Sequence, residues 1–317
     1  MTFDQVQDVP GFEKLVANER VDVINFLNKN LNDVDLCLQI VDTETAKNVA
    51  YANNKLVAAG GWHVTQYLGQ GKDGISFLGY RYSDENKKIR TVKLLSGYAK
   101  HFLNHTRLFS SIYQNLSNKS NNFFKLYITD NYTYYHYDTP LVEVTDKEFY
   151  TTLSFLCKMN CWTIKQTGFA FWDFGFGSGK NYMYDNRRVL RWIDYGGAGM
   201  VRCPEFDNVY KKYNNLPSLT TPVEYTGKES LIIADSNFLM CQFLLHIEYW
   251  KNTEPNNADI WSSMLQIRSS VAHEFVDLLP MVLLTPIAQE IYNNFKQHNW
   301  TDHITWKKVG KYIESNT

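Results

Sequence analysis

The sequence predicts an α+β protein in which an antiparallel β-sheet comes first and a mainly helical part follows. Five short runs rich in β-branched and aromatic residues lie between about residues 60 and 138 and predict a five-stranded sheet. From Thr145 onward, apolar residues recur at helical spacing instead. No linker rich in Pro, Gly or Ser separates the parts, so we expect two lobes of one bilobal unit, residues 1–138 and 139–317.

The first part begins with a predicted helix over residues 11–34, whose apolar side chains fall roughly on one face. Three predicted strands follow, with the sequences HVTQYL, ISFLGYRY and IRTVKLL. A helix is predicted around SGYAKHFLNHTRLFSSIYQNL. The last two predicted strands are FFKLYITD and YTYYHYD, with Asn131 as the turn residue between them.

The helices of the second part have recognisable boundary signals. Residues Thr145–Glu148 have the pattern of a capping box, and the helix behind them carries an apolar stripe that includes Phe149 and Cys157. Residues 236–250 are almost wholly apolar, which is typical of a helix buried in a core. Further helices are predicted at 258–278, 286–297 and 301–314.

Composition and charge exclude several classes of protein and partner. Hydrophobic residues make up 44% of the chain and charged residues 21%, which excludes wholesale disorder. With 32 basic and 33 acidic residues the net charge is −1, so we expect no nucleic acid and no membrane as a partner. The five scattered cysteines predict neither a disulfide framework nor a zinc site.

Composition also predicts a compartment and a source. The N-terminus is acidic and has no apolar run of the secretory type, so we expect a cytoplasmic or otherwise intracellular protein. The abundance of Asn is typical of an AT-rich genome such as that of a virus or phage, for which the compartment would be the host cell.

Gly69, Gly71 and Gly74 have the GxGxxG spacing of nucleotide-binding loops. In a dinucleotide-binding fold the last glycine opens a helix, whereas Gly74 is followed here by a predicted strand. A glycine-rich turn between two strands can lay backbone amides over phosphates, because side chains would block a close approach. An ordinary hairpin turn is the alternative interpretation.

A second set of candidate residues is polar. Lys93 alternates with apolar neighbours on a predicted strand, where an ammonium group is costly unless it meets an anion. Asp173, Lys180 and Asn181 lie in a glycine-rich loop, and Asp194 follows a predicted pair of short strands. Phosphoryl transfer needs one carboxylate to accept or orient the nucleophile's proton, and an Asn and a second carboxylate to hold Mg²⁺. A solvated strand lysine and a surface loop without chemistry are the alternatives.

Together, and in this chain order, these elements resemble the motifs of the protein-kinase superfamily. Thr-Val-Lys93 is similar to the family's Val-Ala-Ile-Lys strand, and Ile193-Asp194-Tyr-Gly196 is similar to its Asp-Phe-Gly turn. Asn181 precedes Asp194 by 13 residues, the family's usual spacing. Downstream, Thr221–Glu224 resembles the Ala-Pro-Glu element, and Asp235 precedes the apolar helix as in the family's large lobe.

The resemblance implies a bilobal protein kinase-like fold that binds ATP and Mg²⁺. It implies that ATP lies under Gly69, Gly71 and Gly74, with Lys93 on the α- and β-phosphates. It further implies Asp173 as the base, Lys180 at the transferring phosphoryl group, and Asn181 and Asp194 as the Mg²⁺ ligands.

Three features depart from the family pattern. Seven residues, rather than four, separate Asp173 from Asn181, and Phe171-Trp172 replaces the His-Arg that precedes the base. The stretch from Thr91 to Ile128 contains no acidic residue that could pair with Lys93. We therefore expect Lys93 to pair with Asp194, or with an acidic residue near the N-terminus such as Glu13 or Glu19.

Three functions remain open from the sequence. The first is an ATP-dependent Ser/Thr protein kinase, which the retained Gly, Lys, Asp, Asn and Asp positions favour. The second is a pseudokinase that acts as a binding or scaffold module, which the missing Glu and the altered loop favour. The third is a small-molecule kinase on the same fold. The substrate or partner protein is not specified by the sequence.

Overall fold

A computed structural model describes residues 56–58, 62–71, 74–81, 86–95, 103–130, 132–135, 137–176, 179–195, 200–203, 236–251, 276–277 and 279–316. These residues divide into two compact units on either side of the bond between Leu141 and Val142. Several predictions lie outside the described residues: the helix at 11–34 with Glu13 and Glu19, Asn131, Gly196, Thr221–Glu224, Asp235, and residues 258–275 of a predicted helix.

The first unit contains one six-stranded sheet in which every neighbouring pair is antiparallel. The strands follow the spatial order β1-β2-β3-β4-β6-β5. Their bounds, with that of the helix between β4 and β5, are β1 (Leu56–Ala58), β2 (Trp62–Gly71), β3 (Gly74–Arg81), β4 (Arg90–Leu95), α1 (Leu103–Lys119), β5 (Leu126–Ile128) and β6 (Tyr132–Tyr135). The predicted antiparallel sheet is confirmed. The structure adds β1, which the sequence did not predict because its three residues are too few to show an alternating pattern.

The β2–β3 hairpin decides between the two interpretations of the glycine-rich segment. Gly71 pairs with Gly74 across the end of the hairpin, and Gly69 pairs with Ser76. Gly74 therefore begins a strand, not a helix, and a dinucleotide-binding fold is excluded for this segment. Glycine is required further along at Gly79, because a Cβ atom there would lie 2.7 Å from the carbonyl oxygen of His63.

The core of the first unit draws side chains from both the sheet and α1. Val92 on β4 and Ile112, Tyr113 and Leu116 on α1 are wholly buried. Leu116 lies four residues after Ile112 and three after Tyr113, so these α1 positions share the face that turns away from solvent. Because Val92 is buried, its neighbour Lys93 projects from the opposite side of the pleated strand.

In the described residues, the second unit combines helices with three pairs of short strands. Its elements are α2 (Phe149–Thr167), β7 (Phe169–Phe171), β8 (Gly175–Phe176), β9 (Gly179–Lys180), β10 (Tyr182–Tyr184), β11 (Leu190–Trp192), β12 (Met200–Arg202), α3 (Ser236–Lys251), α4 (Leu279–Val282), α5 (Pro286–Phe295) and α6 (His303–Ser315). β7 pairs with β12, β8 with β9, and β10 with β11, all antiparallel. The α+β class that the sequence predicts is confirmed.

The predicted helix boundaries hold with small shifts that capping explains. The Glu148 carboxylate accepts a hydrogen bond from Thr145 N at 2.9 Å, so this half of the predicted capping box is formed. A short 3₁₀ turn precedes α2 at Asp146–Glu148. The last helix was predicted from residue 301 but begins at His303, because Asp302 Oδ1 accepts from Ile304 N at 3.0 Å and caps it.

The core of the second unit is built around α3. As predicted, this helix is buried almost all round, from Phe238 to Trp250. The Phe243 ring packs against Trp300 and Trp306, with ring centroids 5.9 Å and 5.2 Å apart. Among the described residues, no helix is both long enough and apolar enough to cross a membrane.

Candidate functional site

The loop between β7 and β10 brings Asp173 and Asn181 together. Its start is anchored by the buried side chain of Asn160 on α2, which accepts from Phe171 N at 2.8 Å and donates to Phe171 O at 2.9 Å. Two residues later, the backbone oxygen of Asp173 accepts a hydrogen bond from Asn181 Nδ2 at 3.0 Å. A hydrogen bond therefore joins the candidate base, Asp173, to one of the two candidate metal ligands, Asn181.

The Asp173 carboxylate is oriented by its own loop. Asp173 Oδ1 accepts a hydrogen bond from Gly175 N at 3.1 Å, which makes a tight turn over three residues. Gly175 has a φ of 78°, in the left-handed region that glycine adopts without steric cost. The side chain of Asp173 stays partly exposed. Its carboxylate is thus fixed in direction and still accessible.

The extra residues between Asp173 and Asn181 form a small hairpin of their own. Gly175 pairs with Lys180 and Phe176 pairs with Gly179 in the two-residue strands β8 and β9. The longer spacing therefore does not separate Asp173 from Asn181, because the hairpin returns the chain to its starting point. Lys180 is located by its backbone on β9, which leaves its predicted role at the transferring phosphoryl group a prediction.

Asp194 directly follows the residue opposite Asn181, because β10 and β11 form an antiparallel hairpin. Tyr182 pairs with Trp192, and just beyond this pair Ile193 N donates to the backbone oxygen of Asn181 at 3.0 Å. Asp194 is the next residue, and its backbone oxygen accepts a hydrogen bond from Trp192 Nε1. The sequence interval of 13 residues thus corresponds to the two chain ends of one hairpin.

The opposite end of this hairpin is closed by Asp185. Its Oδ1 accepts from Arg187 N at 2.9 Å and Val189 N at 2.8 Å, and its Oδ2 accepts from Arg191 Nε at 2.9 Å. Burial alone would raise the pKa of this carboxyl group, but the hydrogen bonds from Val189, Arg191 and Arg187 outweigh it and hold the pKa below its usual value. Asp185 therefore stays charged and fixes the turn from which Asn181 and Asp194 extend.

His246 on α3 contacts the loop between β7 and β10. The sequence analysis did not identify this residue. Its Nδ1 lies 2.7 Å from Gly175 O, and its Nε2 lies 2.7 Å from the Tyr182 hydroxyl. Only 2% of His246 is exposed, so both contacts are shielded from water. The sequence signal that could have identified His246 is a polar residue in the middle of an almost wholly apolar helix. A buried imidazole requires hydrogen-bond partners, so such a residue indicates a buried polar contact.

The first unit carries the other candidate residues on adjacent strands. Lys93 on β4 is opposite Ser76 on β3 and Thr133 on β6, and its side chain is partly buried. Gly69, Gly71 and Gly74 lie at the turn end of the β2–β3 hairpin, as predicted from the strand that follows Gly74. On α1, the exposed Arg107 forms an ion pair with Asp130. The expected pairing of Lys93 with Asp194, Glu13 or Glu19 stays a prediction.

The second unit offers oxygen ligands of the kind that Mg²⁺ prefers. Asn181 uses its amide nitrogen to donate to Asp173, so the amide oxygen is the atom that this contact leaves for a cation. Asp194 supplies the carboxylate at the neighbouring chain end. In the described part of the chain, no three His, Cys, Asp or Glu side chains cluster as a metal centre. That Asn181 and Asp194 hold Mg²⁺ therefore stays a prediction.

No model of a known protein family matches this chain, and no curated protein has a sequence measurably similar to it.

Proposed function

We propose that this protein is an ATP-dependent phosphotransferase with a protein kinase-like fold, which transfers the γ-phosphate of ATP to a Ser or Thr hydroxyl of a protein. The observation that carries the proposal is the Asp173–Asn181–Asp194 constellation. A hydrogen bond joins Asp173 to Asn181, and a backbone hydrogen bond joins Asn181 to the residue before Asp194. Phosphoryl transfer requires a base and two oxygen ligands of Mg²⁺ in such a group.

The order of elements in the first unit supports the same proposal. In protein kinases a glycine-rich turn covers the phosphates, the lysine lies on the third strand, and a helix follows. Here the glycine-rich hairpin β2–β3 is followed by β4 with Lys93 and then by α1. β4 lies next to the hairpin in the sheet, so the lysine and the glycine-rich turn belong to one continuous surface of the unit.

The proposed chemistry assigns one task to each residue. The substrate hydroxyl oxygen attacks the γ-phosphorus, the bond from that phosphorus to the ADP oxygen breaks, and Asp173 accepts the hydroxyl proton. Lys93 binds the α- and β-phosphates, and Lys180 stabilises charge on the transferred group. Mg²⁺, held by Asn181 and Asp194, would neutralise the phosphate oxygens when bound.

A pseudokinase that binds a partner without catalysis is the second candidate, and the region after Lys93 favours it. The stretch from Thr91 to Ile128 contains no acidic residue. The described cation of α1 nearest in sequence, Arg107, is engaged with Asp130 beyond that stretch. In active protein kinases a glutamate of this helix orients the lysine, so Lys93 needs another partner for catalysis.

The proposal is tested by transfer of labelled γ-phosphate from ATP to the protein itself and to peptides containing Ser and Thr. We expect Asp194→Asn to reduce turnover by on the order of 10²-fold or more, because one charge contact to the transition state is lost. Glu143→Gln is the matched control, since it removes an equal charge from an exposed position of the same unit.

Mg-ATP binding is measured in parallel as a shift in melting temperature. A ligand at a hundredfold excess over its Kd stabilises the fold by about 2.7 kcal/mol. Binding without turnover in the wild type would favour the pseudokinase. If the wild type neither binds Mg-ATP nor turns it over, the proposal is overturned altogether.

A further inference from the structure

His246 lies where it can control the geometry of the candidate site without touching a substrate. It belongs to α3, and its ring is enclosed by aromatic side chains. The ring centroids of Phe174, Tyr182 and Trp250 lie 5.5 Å, 5.7 Å and 5.9 Å from that of His246. These neighbours are themselves almost wholly buried, and each ring nitrogen of the imidazole has a polar contact to the loop or its flanking strand.

The two contacts define the tautomer of His246. A backbone carbonyl oxygen can only accept a hydrogen bond, so Nδ1 must carry the proton that it donates to Gly175 O. In the neutral ring Nε2 is then an acceptor, and the Tyr182 hydroxyl donates to it. Burial raises the pKa of Tyr182, which keeps the phenol protonated and able to donate. Both contacts therefore fit a ring that carries its proton on Nδ1.

His246 closes a ring of interactions that contains the candidate base and a candidate metal ligand. From His246, one path runs to Gly175 O and from Gly175 N to the Asp173 carboxylate. The other path runs to the Tyr182 hydroxyl and along the chain to Asn181, whose amide returns to Asp173 O. A shift of His246 would thus move both ends of the loop.

We propose that His246 is a positioning residue, which holds the Asp173 carboxylate and the Asn181 amide in their working geometry through Gly175 and Tyr182. The inference rests on the proposed phosphotransferase function for its catalytic consequence. The structural part of the inference, that the order of the loop depends on the His246 imidazole, is independent of the proposed function. A displacement of about 1 Å at a reacting group can cost about 10² in rate, so a residue without substrate contact can still control turnover.

Three substitutions separate the two contacts. His246→Leu removes both hydrogen bonds and keeps an apolar side chain in the aromatic surroundings. His246→Asn can retain the donor to Gly175 O, because its amide nitrogen occupies roughly the place of Nδ1. Tyr182→Phe removes only the hydroxyl group. His298→Leu is the control, since His298 belongs to the same unit and its ring packs on Phe295.

The first measurement is hydrogen exchange of the backbone amides of residues 174–181, which needs no turnover. We expect His246→Leu to raise exchange in this loop by at least about tenfold, with α3 still protected, and His246→Asn to restore part of the protection. Unchanged exchange of the loop in a folded His246→Leu protein would overturn the inference. If that variant fails to fold, the same comparison between Tyr182→Phe, His246→Asn and the wild type decides.

The second measurement is phosphoryl transfer at saturating Mg-ATP. We expect His246→Leu to lower kcat by about 10²-fold with the KM for ATP changed by less than about threefold, and His246→Asn to recover most of kcat. A merely structural role would lower the melting temperature and leave kcat per folded molecule unchanged, which would overturn the inference. Absence of turnover in the wild type would refute the proposed function, and the exchange data would still decide the role of His246.

Discussion

Asp185 stabilises the turn between β10 and β11, because its carboxylate accepts hydrogen bonds from two backbone amides and one guanidinium group. It is only 1% exposed, and Arg191, its ion-pair partner at 2.7 Å, is 15% exposed. A charge at such a position is tolerated because every lone pair direction has a donor within reach. The turn between β10 and β11 therefore depends on the ionised form of one residue.

We expect Asp185→Asn to lower the free energy of unfolding by about 2 kcal/mol, the usual scale of hydrogen bonds to a charged group. The pKa of Asp185 is depressed in the folded protein, so its contribution is fully present above the ordinary value of 3.8. The contribution is lost as pH falls through the lower folded value. Urea unfolding of both proteins at pH 6 and below pH 4 measures this difference.

The difference between wild type and variant should shrink at the lower pH, because the protonated Asp185 then resembles Asn. A difference that grows on acidification would contradict the assignment. Glu143→Gln, which removes an exposed carboxylate of the same unit, should leave the unfolding free energy nearly unchanged at both pH values.

At the scale of elements, the contact between α2 and α6 is set by small residues. A Cβ atom at Gly310 would lie 3.1 Å from the Cβ of Cys157 and 3.6 Å from the backbone oxygen of Ser154. Cys157 is wholly buried, and burial raises the pKa of its thiol well above the ordinary value. The prediction that Cys157 belongs to the apolar stripe of this helix thus fits its surroundings.

We expect Gly310→Leu to lower the free energy of unfolding by about 1–3 kcal/mol, because the larger side chain forces α6 away from α2. Thermal or urea unfolding measures the loss. Lys311→Leu, on the exposed side of the same helix, is the matched control and should change stability by less than about 0.5 kcal/mol. Equal effects at the two positions would show that the close packing at Gly310 is unimportant.

At the scale of the whole molecule, the proposed function draws on residues of both units. Lys93 belongs to the first unit, whereas Asp173, Asn181 and Asp194 belong to the second. The proposal therefore predicts that turnover depends on residues of each unit. This dependence can be measured without assuming how Lys93 is held in place of the absent glutamate.

We expect Lys93→Met to reduce turnover by at least about 10²-fold, a typical size for removing one charge contact to the transition state. The melting-temperature shift with Mg-ATP should also fall. Lys88→Met serves as a control, because Lys88 is an exposed lysine shortly before β4. Turnover that is real in the wild type and unaffected by Lys93→Met would show that Lys93 has been assigned wrongly.

Much of the fold follows from local sequence signals. Alternation and β-branched residues located the strands of the sheet, and the apolar run at 236–250 identified α3 as a core helix. The short strand β1 and the exact ends of α5 and α6 were missed, because three residues carry little pattern and because capping side chains decide where a helix ends. The hairpin β8–β9 was also missed, since two-residue strands have no periodicity to detect.

For the candidate site too, part could be predicted from local sequence signals and part could not. The sequence by itself selected the candidate residues, Lys93, Asp173, Asn181 and Asp194, because residue type and chain order can be read from it directly. That these residues carry the chemistry stays a prediction. Only the tertiary structure decided that the longer loop still returns Asn181 to Asp173, and that His246, 71 positions after Gly175, holds that loop. Such contacts between distant positions depend on how helices and strands pack, and no local pattern in the chain encodes them.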